Sequence, residues 1–278
     1  MNKLLVVDEK VSQLIKKADD DTCDWNLERQ KLQGMINDGA LIDRQWALSL
    51  IDDYCDHNKT ASILDYGCGT GILNLLLLLK GYSNVHGVDV VEKFNNKILK
   101  NFNFEKASFK LVVGEERLPF DDASFDVISS SLVLEHVKDI DFYYSEAARV
   151  LKTGGVCFFN FPHRLKPYDS HSRCWFIHYF PKPLRKILWD MFARQSGAYL
   201  NDYLFLRSVS EHKRIARKYF GHVENISVTR IKRKNFVNYK GNSKVRHFAA
   251  NLMDLRYVGD IFAKVFTLHA STDLYLRK

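Results

Sequence analysis

The chain has 278 residues, 46% of them hydrophobic and 13% aromatic, which suits one large α/β domain, or one domain plus an insertion, around a sizeable core. Five cysteines (Cys23, Cys55, Cys68, Cys157, Cys174) are scattered, odd in number and without a C-x-x-C pair, which argues against a disulfide framework or a zinc site and suits a reducing compartment. The net charge of +8 is uneven: 18 Lys and Arg face 25 Asp and Glu up to residue 160, and 23 face 8 beyond it, so the second part has either an anionic partner or a solvated basic surface.

In chain order, the first apolar run, Leu4–Val7, is too short for a signal-peptide core, and Leu75–Leu79 is too short to span a bilayer, so a soluble cytoplasmic protein is expected. Val7, Val11, Leu14 and Ile15 recur at helical spacing and stop at Asp19-Asp20-Asp21. A second helix is expected from about Asp43 to Cys55, with Trp46, Leu50 and Ile51 on one face. Ala61–Gly71 then reads as a short buried strand, with Ile63 and Leu64, that ends in Asp65 and breaks into a loop with glycine at 67, 69 and 71. Alternate glycines let the backbone turn tightly and approach a ligand, and the apolar run Ile72–Leu79 opens a helix whose first N–H groups are free to receive it. The spacing is neither the G-x-G-x-x-G of dinucleotide sites nor a phosphate loop, because no Gly-Lys-Ser/Thr follows.

Strand Asn84–Val88 leads to Asp89, an acid able to accept both ribose hydroxyls of a nucleoside, and a helix is expected over Glu92–Asn101. Phe109–Val113 and Ser124–Ser130 read as the third and fourth strands. A helix over Asp141–Leu151 ends at a glycine stop, Lys152-Thr153-Gly154-Gly155, and Val156–Phe161 is the fifth strand. Beyond it lies a basic helix near Pro183–Arg194, where Leu184, Ile187, Leu188, Met191 and Phe192 form an apolar stripe. That stripe suits a membrane surface, but packing on its own domain is the preferred reading. Ser208 to Glu211 is a capping box, His222–Ile231 and Asp273–Arg277 read as the last strands, and two basic helices are expected near Lys244–Tyr257 and Gly259–Leu268.

Asp65-x-Gly67-x-Gly69-x-Gly71 resembles the first motif of class I S-adenosylmethionine (SAM)-dependent methyltransferases, and segments in register from Ser62 to Phe161 extend the resemblance. It implies a Rossmann-like, doubly wound, mostly parallel seven-stranded sheet. The expected organisation is an N-terminal helical cover (1–60), a SAM-binding core (61–161), a helical lid insertion (162–207) and a C-terminal part of the core (208–278). SAM, leaving as S-adenosylhomocysteine, is the implied cofactor. Its expected contacts are Asp65, Gly67, Cys68, Gly69, Gly71, Asp89, Val90, Arg117, Ser130 and Ser131, with either Glu115 or Glu116 receiving the adenine amino group.

Transfer of the methyl to an alcohol needs a base within hydrogen-bond reach. The stretch from Phe161 through His163, Arg164, Lys166, Tyr168, Asp169 and His171 to His178 resembles family members encoded with surface-polysaccharide and glycolipid genes. That likeness implies O-methylation of a sugar hydroxyl on a glycan or lipid-linked saccharide, while a peripheral membrane contact is the alternative reading of the apolar stripe. His171, then His163 and His136, are the candidate bases. Arg164, Lys166 and Arg173 suit an anionic acceptor, and Tyr168 and Trp175 a sugar face.

Other readings are a small-molecule or amino-sugar nitrogen acceptor, and a SAM-binding protein without turnover. Nucleic-acid methyltransferases carry Asn/Asp-Pro-Pro-Tyr/Phe where Ser129-Ser130-Ser131-Leu132 stands here, so no nucleic acid is expected. Metal-assisted relatives carry Glu-x-x-Glu-His, and Leu132 replaces the first acid, so no metal is expected either.

Overall fold

In a computed structural model, residues 7–37, 44–104, 106–113, 116–169, 171–192, 202–232, 264–265, 267 and 271–278 are described. Glu115 and the basic helices expected between 244 and 268 lie outside these, apart from a few positions near 265. The chain divides into two compact units, Met1–Ser130 with Glu146–Phe158 and Lys278, and Ser131–Ser145 with Phe159–Arg277.

The described elements are α1 (Val7–Lys16), α2 (Trp25–Asn37), α3 (Gln45–Cys55), β1 (Ser62–Tyr66), α4 (Ile72–Leu79), β2 (Asn84–Asp89), α5 (Lys97–Asn101), β3 (Ser108–Leu111), β4 (Phe125–Ser131), α6 (Ile140–Val150) and β5 (Leu151–Phe161). A 3-10 turn (Ile177–Tyr179), α7 (Lys182–Phe192), α8 (Val209–Ala216), β6 (His222–Asn225), α9 (Ser227–Lys232) and β7 (Thr272–Arg277) follow. The strands form one seven-stranded sheet in the order β3-β2-β1-β4-β5-β7-β6. β1 runs parallel to β2 and β4, and β2 parallel to β3, while β6 and β7 are antiparallel. This is the expected doubly wound arrangement.

In the first unit, β1 is central, so its apolar run is continuous rather than alternating, and Ile63 and Leu64 are fully buried. α4 buries every residue from Leu73 to Leu79 and packs on β2, α1 and α2. The predicted stripe of α1 (Val7, Val11, Leu14, Ile15) is buried. α2, which the sequence reading does not separate out, has Leu32 as its one buried residue. It is held instead by Trp25 edge-on to Phe102 and by Arg29, which covers the Phe104 ring and donates to the Phe102 carbonyl at 2.6 Å.

The helix expected over Glu92–Asn101 forms only as α5, because Asn side chains capture the backbone before it. Asn95 Oδ1 accepts from the Lys97 N–H, and Asn96 both accepts from the Phe109 N–H and donates to its carbonyl. β5 starts at Leu151, five residues before expectation. The glycine pair is strand rather than helix stop, with Gly154 donating to the Lys278 carbonyl and the Lys278 N–H donating to Gly155.

In the second unit the strand expected over His222–Ile231 ends at Asn225. There Asn225 Oδ1 accepts from the N–H and hydroxyl of Ser227 and starts α9. Ser227 Oγ in turn accepts from the Asp273 N–H, and Asp273 is neutralised by Arg230, Nε to Oδ2 3.0 Å. Ser208 caps α8 as predicted, accepting from the Glu211 N–H. His212 stacks on Phe161 at 4.0 Å and meets the Tyr144 hydroxyl, and burial drives its pKa down to about 3, so it is a neutral core residue.

Candidate active site

The first unit carries the glycine loop. β1 delivers Asp65 between Gly87 of β2 and Ser129 of β4. Burial raises its carboxyl to about 7, with the Arg44 charge working against the shift and Asp89 adding to it. The chain then turns through Gly67, Gly69 and Gly71, all at positive φ (87°, 55°, 79°), and the N–H groups of Gly67 and Cys68 bond the Val88 carbonyl. At Gly71 a Cβ would come within 2.4 Å of Phe109 Cζ, so that glycine is needed both for its dihedral and for the aromatic ring beneath the loop.

Asp89 organises the other side. Its Oδ2 accepts from the Gly69 N–H at 2.7 Å and its Oδ1 from the Val91 N–H at 3.0 Å, tying the loop to the end of β2. Each oxygen keeps a second lone pair for a ribose hydroxyl. Val90, Val91, Leu111 and Val113, at and just beyond the carboxyl ends of β2 and β3, are exposed and form an apolar surface there. The 118–120 segment is stapled by Arg149, which bonds Glu146 and the carbonyls of Leu118 and Phe120. Glu116 is exposed, and Arg117 is exposed and paired with Asp122 at 3.0 Å. Ser129 and Ser130 are buried. Cys68 is buried with its thiol pushed well up by burial, which makes it a packing residue, not a nucleophile.

The second unit carries the titratable cluster. Asp169 is buried and accepts from the His171 N–H (3.1 Å), the Ser172 N–H (3.1 Å) and the Ser172 hydroxyl (2.5 Å). His171 Nδ1 lies 3.2 Å from Asp169 Oδ1 and His178 Nε2 3.5 Å from Oδ2. Burial alone would raise the Asp169 carboxyl, but the bonds from His171, His178 and Ser172 outweigh it and hold the group well below the usual range. Reciprocally, the Asp169 bond raises His171 above its ordinary value, against the opposing effect of burial.

The rings of His171 and His136 meet edge to face at 5.2 Å, and His136 Nδ1 lies 2.8 Å from the Tyr203 carbonyl. Beside them Glu135 is 3% exposed, with Oε2 unpartnered, and burial lifts its carboxyl to about 7. One donor atom from each of Glu135, His136 and His171 lies within 4.8 Å of the others. Two ligands of one ion at about 2.1 Å each can be at most about 4.2 Å apart, so the set is near what a divalent cation could use.

The structure thus brings His171 and His136 together and adds Glu135. His163 is buried with Nε2 3.3 Å from the Thr267 carbonyl, and burial lowers its pKa. The Tyr168 and Trp175 rings meet at 5.1 Å, tilted by 53°, while Arg164 and Arg173 are exposed.

Residues 64–159 match a family model described as a methyltransferase domain. A ubiquinone biosynthesis O-methyltransferase of Pelagibacter ubique is 38% identical over 103 residues, covering 36% of this chain and 41% of that protein. A protein of the same name from Hydrogenovibrio crunogenus is 31% identical over 164 residues, 52% of this chain and 64% of that protein. The chain therefore spans about half the length of the curated relatives it matches. Among solved structures, the Haemonchus contortus phospholethanolamine N-methyltransferase 2 aligns with a TM-score of 0.50 at 16% identity, over 84% of this chain and 52% of that one, a likeness of fold. Over residues 64–159 the chain is thus similar to a methyltransferase domain.

Proposed function

We propose that the whole protein transfers the methyl group of SAM to a hydroxyl oxygen of a small acceptor, with His171 taking the acceptor's proton. In the transfer a C–O bond forms as the C–S bond breaks. The sulfur keeps the electron pair, giving S-adenosylhomocysteine, and the proton passes to the imidazole. The observation that carries this reading is the Asp169–His171 pair. A buried carboxylate held ionised fixes the ring and stabilises the imidazolium that proton transfer creates. The cofactor's methionine end carries an ammonium group, for which Asp65 is the counter-charge, and Asp89 takes the ribose.

For the acceptor, we favour a sugar hydroxyl of a glycan or lipid-linked saccharide, held by the 162–207 segment. The likeness of Phe161 to His178 to glycolipid-associated members supports it, as does the Tyr168–Trp175 aromatic pair. A second reading, a hydroxyl of a quinone precursor, is supported by the names of the relatives, which are O-methyltransferases of ubiquinone biosynthesis.

The test is a panel of saccharide and catechol acceptors with SAM, read by mass spectrometry of the methylated product across pH. Turnover is expected to rise with pH as His171 loses its proton. His171→Ala is expected to keep SAM affinity and to lose about 10²–10⁴-fold in turnover. Wild-type turnover in that variant would remove His171 from the mechanism.

A further inference from the structure

Among the described residues, four of the five stripe positions of α7 are exposed and one, Leu188, packs inward. Leu188 and Trp189 turn inward, where Trp189, Ile177 and Leu204 make a small core. Leu184, Ile187, Met191 and Phe192 face solvent, with Ile187 56% and Phe192 67% exposed. Their spacing of i, i+3, i+7 and i+8 puts them on one side of a helix that is about 16 Å long at 1.5 Å per residue.

Just before the helix, the 3-10 turn exposes Trp175, Phe176, Tyr179 and Phe180 as well. The rings of Trp175, Phe176 and Tyr179 run in series at 5.9 and 5.8 Å. This apolar surface is held in place. Trp189 is fully buried under the Arg185 guanidinium, the Tyr179 hydroxyl donates to the Leu165 carbonyl at 2.6 Å, and Asp169 bonds the loop between. Eight large exposed apolar side chains within residues 175–192 are far more than scattered surface hydrophobics, and such patches mark an interaction site.

We propose that this face docks on an anionic lipid bilayer. Charge decides the occupant. Lys182 and Lys186 are exposed on the same helix as the stripe, and Arg164 and Arg173 are exposed on the loops before it. The acids between residues 162 and 207 are Asp169, which the histidines occupy, Asp190 and Asp202. The whole stretch from residue 161 carries 23 Lys and Arg against 8 Asp and Glu. Aromatic and aliphatic side chains beside long cationic ones suit the boundary between headgroups and acyl chains, where the apolar face sinks about 5–10 Å and the lysines reach back to the phosphates. No helix among the described residues is long and apolar enough to cross a membrane, so the contact is peripheral. The proposal stands on this surface and does not require the methyl-transfer reading.

The experiment is cosedimentation of the full chain with vesicles of phosphatidylglycerol and phosphatidylcholine, against vesicles of phosphatidylcholine alone. Binding is expected to the anionic vesicles, to weaken with salt, and to fall about fivefold for each of Lys182→Ala and Lys186→Ala. Ile187→Glu with Met191→Glu is expected to lose at least about tenfold, with the melting temperature and SAM affinity unchanged because both side chains point to solvent. Failure of the wild type to sediment, or equal binding by the double variant, would overturn the proposal. So would a dimer that Ile187→Glu dissolves in a protein that ignores vesicles. SAM affinity is read separately, so failure here leaves the cofactor site untouched, and loss of that site would not move the vesicle result.

Discussion

Asp89→Ala probes the cofactor cradle most sharply. In the free protein the substitution strips the Gly69 N–H of a charged acceptor at 2.7 Å and the Val91 N–H of another at 3.0 Å. A hydrogen bond to a charged group is worth about 1.5–3 kcal/mol. Losing one ribose bond therefore lowers SAM affinity by roughly ten- to a hundred-fold, and losing both by more. Loosening of Gly69, which sits at φ 55° in the middle of the glycine loop, adds to that loss. Asp89→Asn keeps an acceptor oxygen but not the charge and should fall between the two. The assay is calorimetric titration with SAM and with S-adenosylhomocysteine, alongside thermal melting. Equal loss for both ligands is expected, since they share the ribose. Unchanged affinity in Asp89→Ala, or equal loss in a protein that has also unfolded, would refute the assignment.

Gly71→Ala places a Cβ at φ 79° and 2.4 Å from Phe109 Cζ, and is expected to cost about 2–4 kcal/mol in chemical denaturation; unaltered stability would show that the loop is not packed as described. Asp65 holds its proton up to about pH 7, whereas the cofactor's ammonium favours the ionised form. SAM affinity is therefore expected to rise by up to about tenfold per unit of pH below 7 and then level off, and Asp65→Asn to flatten the curve. The sign for stability follows from the same shift: between 3.8 and about 7 the folded state keeps a proton that the unfolded state releases, so the cofactor-free protein loses stability as pH rises through that window. With His171 as the proposed base, turnover is expected to survive EDTA; loss that zinc restores would instead put an ion among Glu135, His136 and His171.

The parallel half of the sheet was legible because its strands are short apolar runs punctuated by glycine and acid, a pattern set by burial on both faces. Asp65 and Asp89 stood out because each ends such a run. Where local polar chemistry overrides periodicity, the sequence misleads. Asn95 and Asn96 shorten α5, and Asn225 with Ser227 turns the second half of an expected strand into α9. α2 escaped notice because Trp25 edge-on to Phe102 and Arg29 over Phe104, rings remote in sequence, replace an apolar face. The meeting of Glu135 and His136 with His171 depends on how the loop after β5 folds, and no spacing encodes that. The α7 stripe was visible, but periodicity says only that a face is apolar. Which way that face points depends on Trp189 and Arg185 anchoring the other side.

The central claim is methyl transfer from SAM, and the most direct measurement follows methyl-labelled SAM with purified protein and the acceptor panel, counting S-adenosylhomocysteine and labelled product together. The account predicts one methyl ether formed for each S-adenosylhomocysteine released, abolished in Asp89→Ala at low SAM and reduced in His171→Ala even at saturating SAM. Tight SAM binding with no S-adenosylhomocysteine from any acceptor would contradict it, and would leave a SAM-binding protein whose methyl is never transferred.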